Sequence, residues 1–155
     1  MEGNGVIEGD LVLRIPRAAS CYEVLEQTAG RLHAKGCVKD SFEQALIERE
    51  HNFPTGIRVG NINVAIPHTD TVHVERTAIA VALLDEPVAF RELGAPQNEV
   101  GVSIVLNLAI KDGSQQVGFL KRVMALIQDQ DCLSRLLACD DADAIASFLQ
   151  GRLAQ

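Results

Sequence analysis

His68 ends the apolar run Val64-Ala65-Ile66-Pro67-His68 and is followed by Thr69 and Asp70. A strand that delivers an imidazole to its carboxyl-terminal edge puts it where open α/β sheets bind ligands. Neutral imidazole is a competent nucleophile near neutral pH, because an unperturbed pKa of about 6.5 leaves much of it unprotonated. The plainer alternative is a hydrogen-bonded loop histidine, and position alone does not choose between the two. Arg49 is the second candidate, since it falls seven residues after Phe42 on the apolar stripe of an expected helix. A guanidinium there either snorkels to water with its stem over the core or meets an anion, and its fork of donors suits phosphate. The Pro54-Thr55-Gly56 turn just downstream can fold it toward the His68 edge.

The remaining titratable residues offer less. His68, Asp70 and His73 lie in one short stretch and could in principle ligate a metal, but no HExxH, paired CxxC or carboxylate cluster accompanies them, so no metal is expected. Asp140, Asp141 and Asp143 read as a solvated turn that starts a helix, and His33 and His51 as surface residues. With neither GxSxG nor a Gly-rich phosphate loop, an α/β-hydrolase and a nucleotide kinase have no support. Cys21, Cys37, Cys132 and Cys139 show no dense spacing and fall mostly on apolar stripes, as reduced thiols in a cytoplasm would.

The elements that must position His68 and Arg49 can be read from periodicity. Leu11, Leu13 and Ile15 alternate with Val12 and Arg14 in a strand that ends at Pro16. Ser20 and Glu23 form a capping-box pattern for a helix whose stripe of Cys21, Val24, Leu25, Thr28 and Leu32 stops at Gly36. Asp40 and Glu43 repeat the pattern before a second helix, with Phe42, Ala45 and Leu46 inward, running to about Glu50. After the Pro-Thr-Gly turn, Gly60-Asn61 separates Ile57-Arg58-Val59 from Ile62, Val64 and Ile66, which suggests a hairpin closed by Pro67. Thr77 to Leu84 and Val100 to Ile110 are nearly continuous apolar runs, as expected for central strands covered on both faces. A helix follows with Val117, Leu120, Met124 and Ile127 on one face, then short helices over Cys132 to Leu137 and Ala142 to Leu149.

The whole chain of 155 residues suggests one domain of strands and helices over residues 10–155 behind a flexible lead of residues 1–9. Its 47% hydrophobic and 23% charged residues are ordinary globular usage, which excludes disorder over most of the length. A net charge of −7 with no basic run repels phosphate backbones and anionic membranes, so nucleic acid is not an expected partner. No apolar run approaches the ~20 residues that span a bilayer, and the first residues do not form a secretory signal, so a soluble cytoplasmic protein without membrane insertion is expected.

Arg49-Glu50, Phe53-Pro54-Thr55-Gly56-Ile57 and Ala65-Ile66-Pro67-His68, at this spacing, resemble the IIA component of the fructose/mannitol class of the bacterial sugar phosphotransferase system (PTS). The resemblance runs from the strand near Leu11 to the last helix, and the stretch from Ala34-Lys35-Gly36 to Gln44-Ala45-Leu46-Ile47 looks most like galactitol-type IIA proteins. It implies a single α/β domain with a mixed β-sheet flanked by helices, which agrees with the strands and helices read from periodicity. It also implies a phosphotransferase: His68 would receive a phosphoryl group from the phosphocarrier HPr and pass it to a cysteine of a IIB component, with a IIC permease in the wider system. Arg49 would offset the phosphoryl oxygens, and Thr55 and Thr69 are candidate phosphoryl contacts. Neither metal nor other cofactor is required by such a mechanism. One departure is that many relatives carry a second active-site histidine at the start of the helix after the last strand, where this chain has Gln116. An amide can donate a hydrogen bond to a phosphoryl oxygen but carries no charge and shuttles no proton. Uptake of galactitol or a related polyol or sugar is the leading expectation. A regulatory domain that signals through protein contacts is the alternative, and a degenerate binding module a third.

Overall fold

The computed structural model describes residues 6–154. Its centre is a long antiparallel hairpin, β4 (Ala78–Glu92) and β5 (Ala95–Ala109), turned at Gly94, whose φ of 79° lies in the left-handed region that glycine enters without steric cost. β1 (Val12–Ile15) pairs in parallel with β4, and β3 (Asn63–Ala65) in parallel with β5. β2 (Gly56–Ile57) pairs antiparallel with β3 and touches the far end of β4 at Glu92, completing a mixed five-stranded sheet. Gly56 is needed at that corner, since a Cβ there would sit 2.7 Å from the Arg91 carbonyl oxygen.

The two apolar runs are central, as expected, and the two-residue period sorts their side chains between two cores. Ala78, Ala80, Ala82 and Leu84 face one side, where α1 (Cys21–Ala34) and α2 (Phe42–Asn52) pack. Ile79, Val81 and Leu83 face the other, covered by α3 (Gly113–Ile127), α4 (Gln130–Ala138) and α5 (Ala142–Leu153). Small residues on the first face let α1 approach, and there the buried Asn107 amide of β5 donates to the Thr28 hydroxyl of α1 (2.8 Å).

Both strands continue well past the apolar runs, over residues 85–99. The ladder slips at Asp85-Glu86-Pro87, between Leu83 and Val88, so proline's missing N–H falls in an irregular stretch rather than in regular pairing. The Gly60-Asn61 hairpin is also shorter than its alternation suggests. Only Gly56–Ile57 pair with Val64–Ala65, while Asn63 Oδ1 accepts from Val59 N (2.9 Å) and Gly60 N (3.1 Å) and holds a wider loop.

Helix α1 starts as expected, with the Ser20 hydroxyl accepting from Glu23 N, and stops at Gly36 with φ 74°. The expected cap of α2 is a correction. Ser41, not Asp40, is the capping residue, and it makes no side-chain cap bond. Asp40 pairs instead with His33 (2.7 Å), and the Ser41 hydroxyl with His73 Nδ1 (2.8 Å). On α3 the buried residues are Phe119, Val123, Leu126 and Ile127, whereas Val117 (67% exposed) and Met124 (37%) face solvent. The helix carries two apolar stripes, and only the sheet decides which is covered.

Asp112, Asp129 and Asp141 cap α3, α4 and α5 with their carboxylates. The lead expected over residues 1–9 lies outside the described residues up to residue 5, and its remainder is tied down. Val6 O accepts from Ile79 N (2.8 Å), and buried Ile7 donates its N–H to Gln150 Oε1 (2.9 Å). No described helix is long and apolar enough to cross a membrane. The four cysteines are free, and burial pushes the Cys21 thiol up to about 11, away from the thiolate range.

Candidate active site

β3 is buried throughout, and the chain continues from it in strand-like pairing. Pro67 O accepts from Leu108 N (2.9 Å), and His68 lies opposite Leu108 of β5. His68 therefore sits on a sheet end fixed by backbone bonds rather than on a free loop. Its Nδ1 lies 2.8 Å from Ile66 O. A carbonyl only accepts, so Nδ1 carries the proton and Nε2 keeps its lone pair. Burial holds the imidazole below its ordinary 6.5, with the charge of Arg49 acting in the same direction, against the Ile66 bond and the Asp70 carboxylate. The ring is thus kept neutral, the nucleophilic form.

Arg49 comes from the last turn of α2. Its guanidinium lies over the Phe53 ring (5.6 Å to the centroid) and 3.8 Å from Asp70 Oδ1, a distance too long for a tight ion pair. Its Nε is buried and makes no hydrogen bond among the described residues. The next residue, Glu50, is only 5% exposed and accepts from both Thr55 N and Thr55 Oγ1, each at 2.8 Å. Burial raises its carboxyl above the usual range, and the two Thr55 bonds and Arg49 pull it back.

Of the expected site residues, Arg49 acts electrostatically on His68, as does Asp70, which lies 3.8 Å from the Arg49 guanidinium. Thr55 and Thr69 are both buried, and their hydroxyl protons are already engaged, by Glu50 and by Asp70 O (2.8 Å) respectively. Gln116 is half-buried in the first turn of α3, which follows β5 and so begins at the sheet end that carries His68, but no hydrogen bond joins it to His68 or Arg49. His73 reaches away to Ser41, and among the described residues no three His, Cys, Asp or Glu side chains gather closely enough to hold a metal ion. A cleft of about 220 Å³ opens beside Arg49, lined also by Phe53, Thr69, Asp70 and His73. That is below the ~300 Å³ at which small-molecule sites begin. Such a cleft suits contact with a small anionic group beside Arg49 better than enclosure of a substrate.

Among the residues that escape the sequence reading, Glu50 has no expected site role and Asp70 enters only as a possible metal ligand. A signal for Glu50 was present: it lies eight residues after Phe42, on the buried stripe of α2, where a carboxylate must find donors.

Residues 6–151 match the family model for the phosphoenolpyruvate-dependent sugar phosphotransferase system, EIIA 2. The galactitol-specific EIIA component of Escherichia coli K12 is 35% identical over 115 residues, covering 74% of this chain and 76% of that one. Among solved structures, the mannitol-specific cryptic phosphotransferase enzyme IIA of E. coli superposes with a TM-score of 0.75 at 18% identity, over 94% of this chain and 96% of that one. A complex of enzyme IIAMTL with phosphorylated enzyme IIBMTL from E. coli gives 0.71 at 20% identity, over 92% and 96%. At those identities the structural likeness is one of fold, whereas the family match spans nearly the whole chain. The chain therefore belongs to the EIIA type 2 family and is a phosphotransferase component of a sugar phosphotransferase system.

Proposed function

We propose that His68 Nε2 accepts a phosphoryl group from phospho-HPr and passes it to a cysteine thiolate of a IIB component. The observation that carries this reading is the Nδ1–Ile66 O bond of 2.8 Å, which leaves Nε2 as the unprotonated nitrogen near Arg49. In the first step the Nε2 lone pair attacks phosphorus as the bond to the donor nitrogen breaks. In the second, a thiolate attacks and the P–Nε2 bond returns its electron pair to the ring. The ring gains positive charge while phosphorylated, and the Ile66 carbonyl at Nδ1–H stabilises that charge without removing the proton. Arg49, loosely held by Asp70, can swing its donors onto phosphoryl oxygens, where charge accumulates in a loose in-line transition state.

Gln116 is the candidate neutral donor from α3, and Thr55 and Thr69 act mainly by shaping the turn and the strand end. Likeness to the galactitol-specific component supports uptake of galactitol or a related polyol, through a IIB protein and a IIC permease, with this chain working in the cytoplasm. The test is a chase: wild-type protein charged with phosphoenolpyruvate, Enzyme I and HPr is mixed with a galactitol-class IIB. Transfer of label to the IIB cysteine is expected. A charged protein that no IIB discharges would favour the regulatory reading instead.

A further inference from the structure

Four residues from three segments are joined in one run of hydrogen bonds that ends on the imidazole. His68 Nδ1–H donates to Ile66 O (2.8 Å), and Ile66 N–H donates to Thr55 O (3.3 Å). Thr55 N–H and its hydroxyl both donate to the Glu50 carboxylate (2.8 Å each). Every donor points the same way, from the ring toward the buried anion. Bonds so aligned polarise one another, and a charge at one end strengthens the whole run.

We propose that Glu50 is a positioning residue for phosphoryl transfer, holding His68, through Thr55 and Ile66, with Nδ1 protonated and Nε2 directed outward. Three observations support this. A carboxylate that is 5% exposed is costly to desolvate, and here both of its strong bonds go to one residue, Thr55, whose backbone then meets the strand that presents His68. The anchor is rigid, since Glu50 belongs to a helix and Thr55 to a tight turn: Pro54 precedes it and Gly56 packs against the Arg91 carbonyl. The same helix end supplies Arg49, so one element sets the relative placement of nucleophile and cation. Phosphorylation places positive charge on the ring, and Glu50 is the anionic terminus toward which the donors lead.

This inference rests on His68 being the phosphoryl acceptor, so the experiment reads the ring separately from the reaction. In full-length protein, Glu50→Ala, Glu50→Gln, Thr55→Val and Thr55→Ser are compared by long-range ¹H–¹⁵N NMR of the His68 ring and by phosphorylation kinetics with phospho-HPr. Wild type and Thr55→Ser, which keeps both donors, should hold the Nδ1–H tautomer and agree in rate within about twofold. Glu50→Ala and Thr55→Val should show the Nε2–H tautomer and lose about 10-fold to 100-fold in maximal rate, with KM for phospho-HPr unchanged. Should Glu50→Ala not fold, Glu50→Gln retains the shape with a weaker acceptor, and its ring should show a mixture of the Nδ1–H and Nε2–H tautomers. A pure Nδ1–H ring in folded Glu50→Gln and Thr55→Val, with wild-type rates, would overturn the proposal. Mixed tautomers in variants of a protein that takes no phosphoryl group on His68 would uphold the positioning role and overturn the function assigned to the ring.

Discussion

Arg49 and Glu50 are neighbours in the last turn of one helix, yet they hold opposite kinds of contact. Glu50 is buried and makes two bonds of 2.8 Å to a single residue. Arg49 is half-exposed, stacked on an exposed phenyl ring, and 3.8 Å from a carboxylate that is itself 81% exposed. The first set of contacts cannot be exchanged without leaving buried donors unpaired. The second can be given up for a better anion at little cost, because exposed pairs contribute only about 0–1 kcal/mol. A site that must accept and release a charged group needs both, a fixed frame for the nucleophile and a loosely held cation for the group.

That contrast can be broken at either residue. Arg49→Ala should slow phosphorylation by about 10²-fold to 10³-fold, the cost of removing a preorganised donor at a centre of developing charge. Its unfolding free energy in urea should stay within about 1 kcal/mol of wild type. Glu50→Ala should reverse the balance of effects: about 2–4 kcal/mol of stability is lost, because two buried Thr55 donors are left without an acceptor, with the smaller kinetic loss stated above. An Arg49→Ala protein as destabilised as Glu50→Ala would mean that the two residues do not divide the work.

Smaller effects sharpen the comparison. Phosphorylation requires the neutral ring, whose ordinary pKa is 6.5 and which burial, with Arg49, holds lower. The acid limb of the rate–pH profile should therefore fall below pH 6.5, since protonation removes the Nε2 lone pair only there. Stopped-flow rates across pH 5 to 8 read this directly, and a limb above 6.5 would place an uncompensated anion beside the ring. Asp70→Asn removes the charge that raises the imidazole and occupies Arg49, so the limb should move further down. Its rate near neutral pH should rise by no more than about fivefold.

Much of this is legible in the amino-acid sequence. Thr77 to Leu84 and Val100 to Ile110 declare themselves as central strands because both faces of the sheet are covered, which leaves no polar alternation to confuse the reading. His68 stands out because a proline and a strand end precede it. What escaped depends on partners distant in sequence. Asp40 has the residue type and spacing of a cap but is drawn to His33, and on α3 the expected Ile127 is buried but with Phe119, Val123 and Leu126 rather than with Val117 and Met124. The strands continue over residues 85–99 because an irregular ladder tolerates Pro87. Glu50 was legible as a buried position but not as a partner of Thr55, since only the turn brings the two together.

The most direct test of the account is to find which nitrogen takes the phosphoryl group. The protein, ¹⁵N-labelled in histidine and charged with phosphoenolpyruvate, Enzyme I and HPr, should show phosphorus bonded to His68 Nε2 with the Nδ1 proton retained. His68→Ala should take no acid-labile label. Phosphorus on Nδ1, or a labelled His68→Ala protein, would contradict the account.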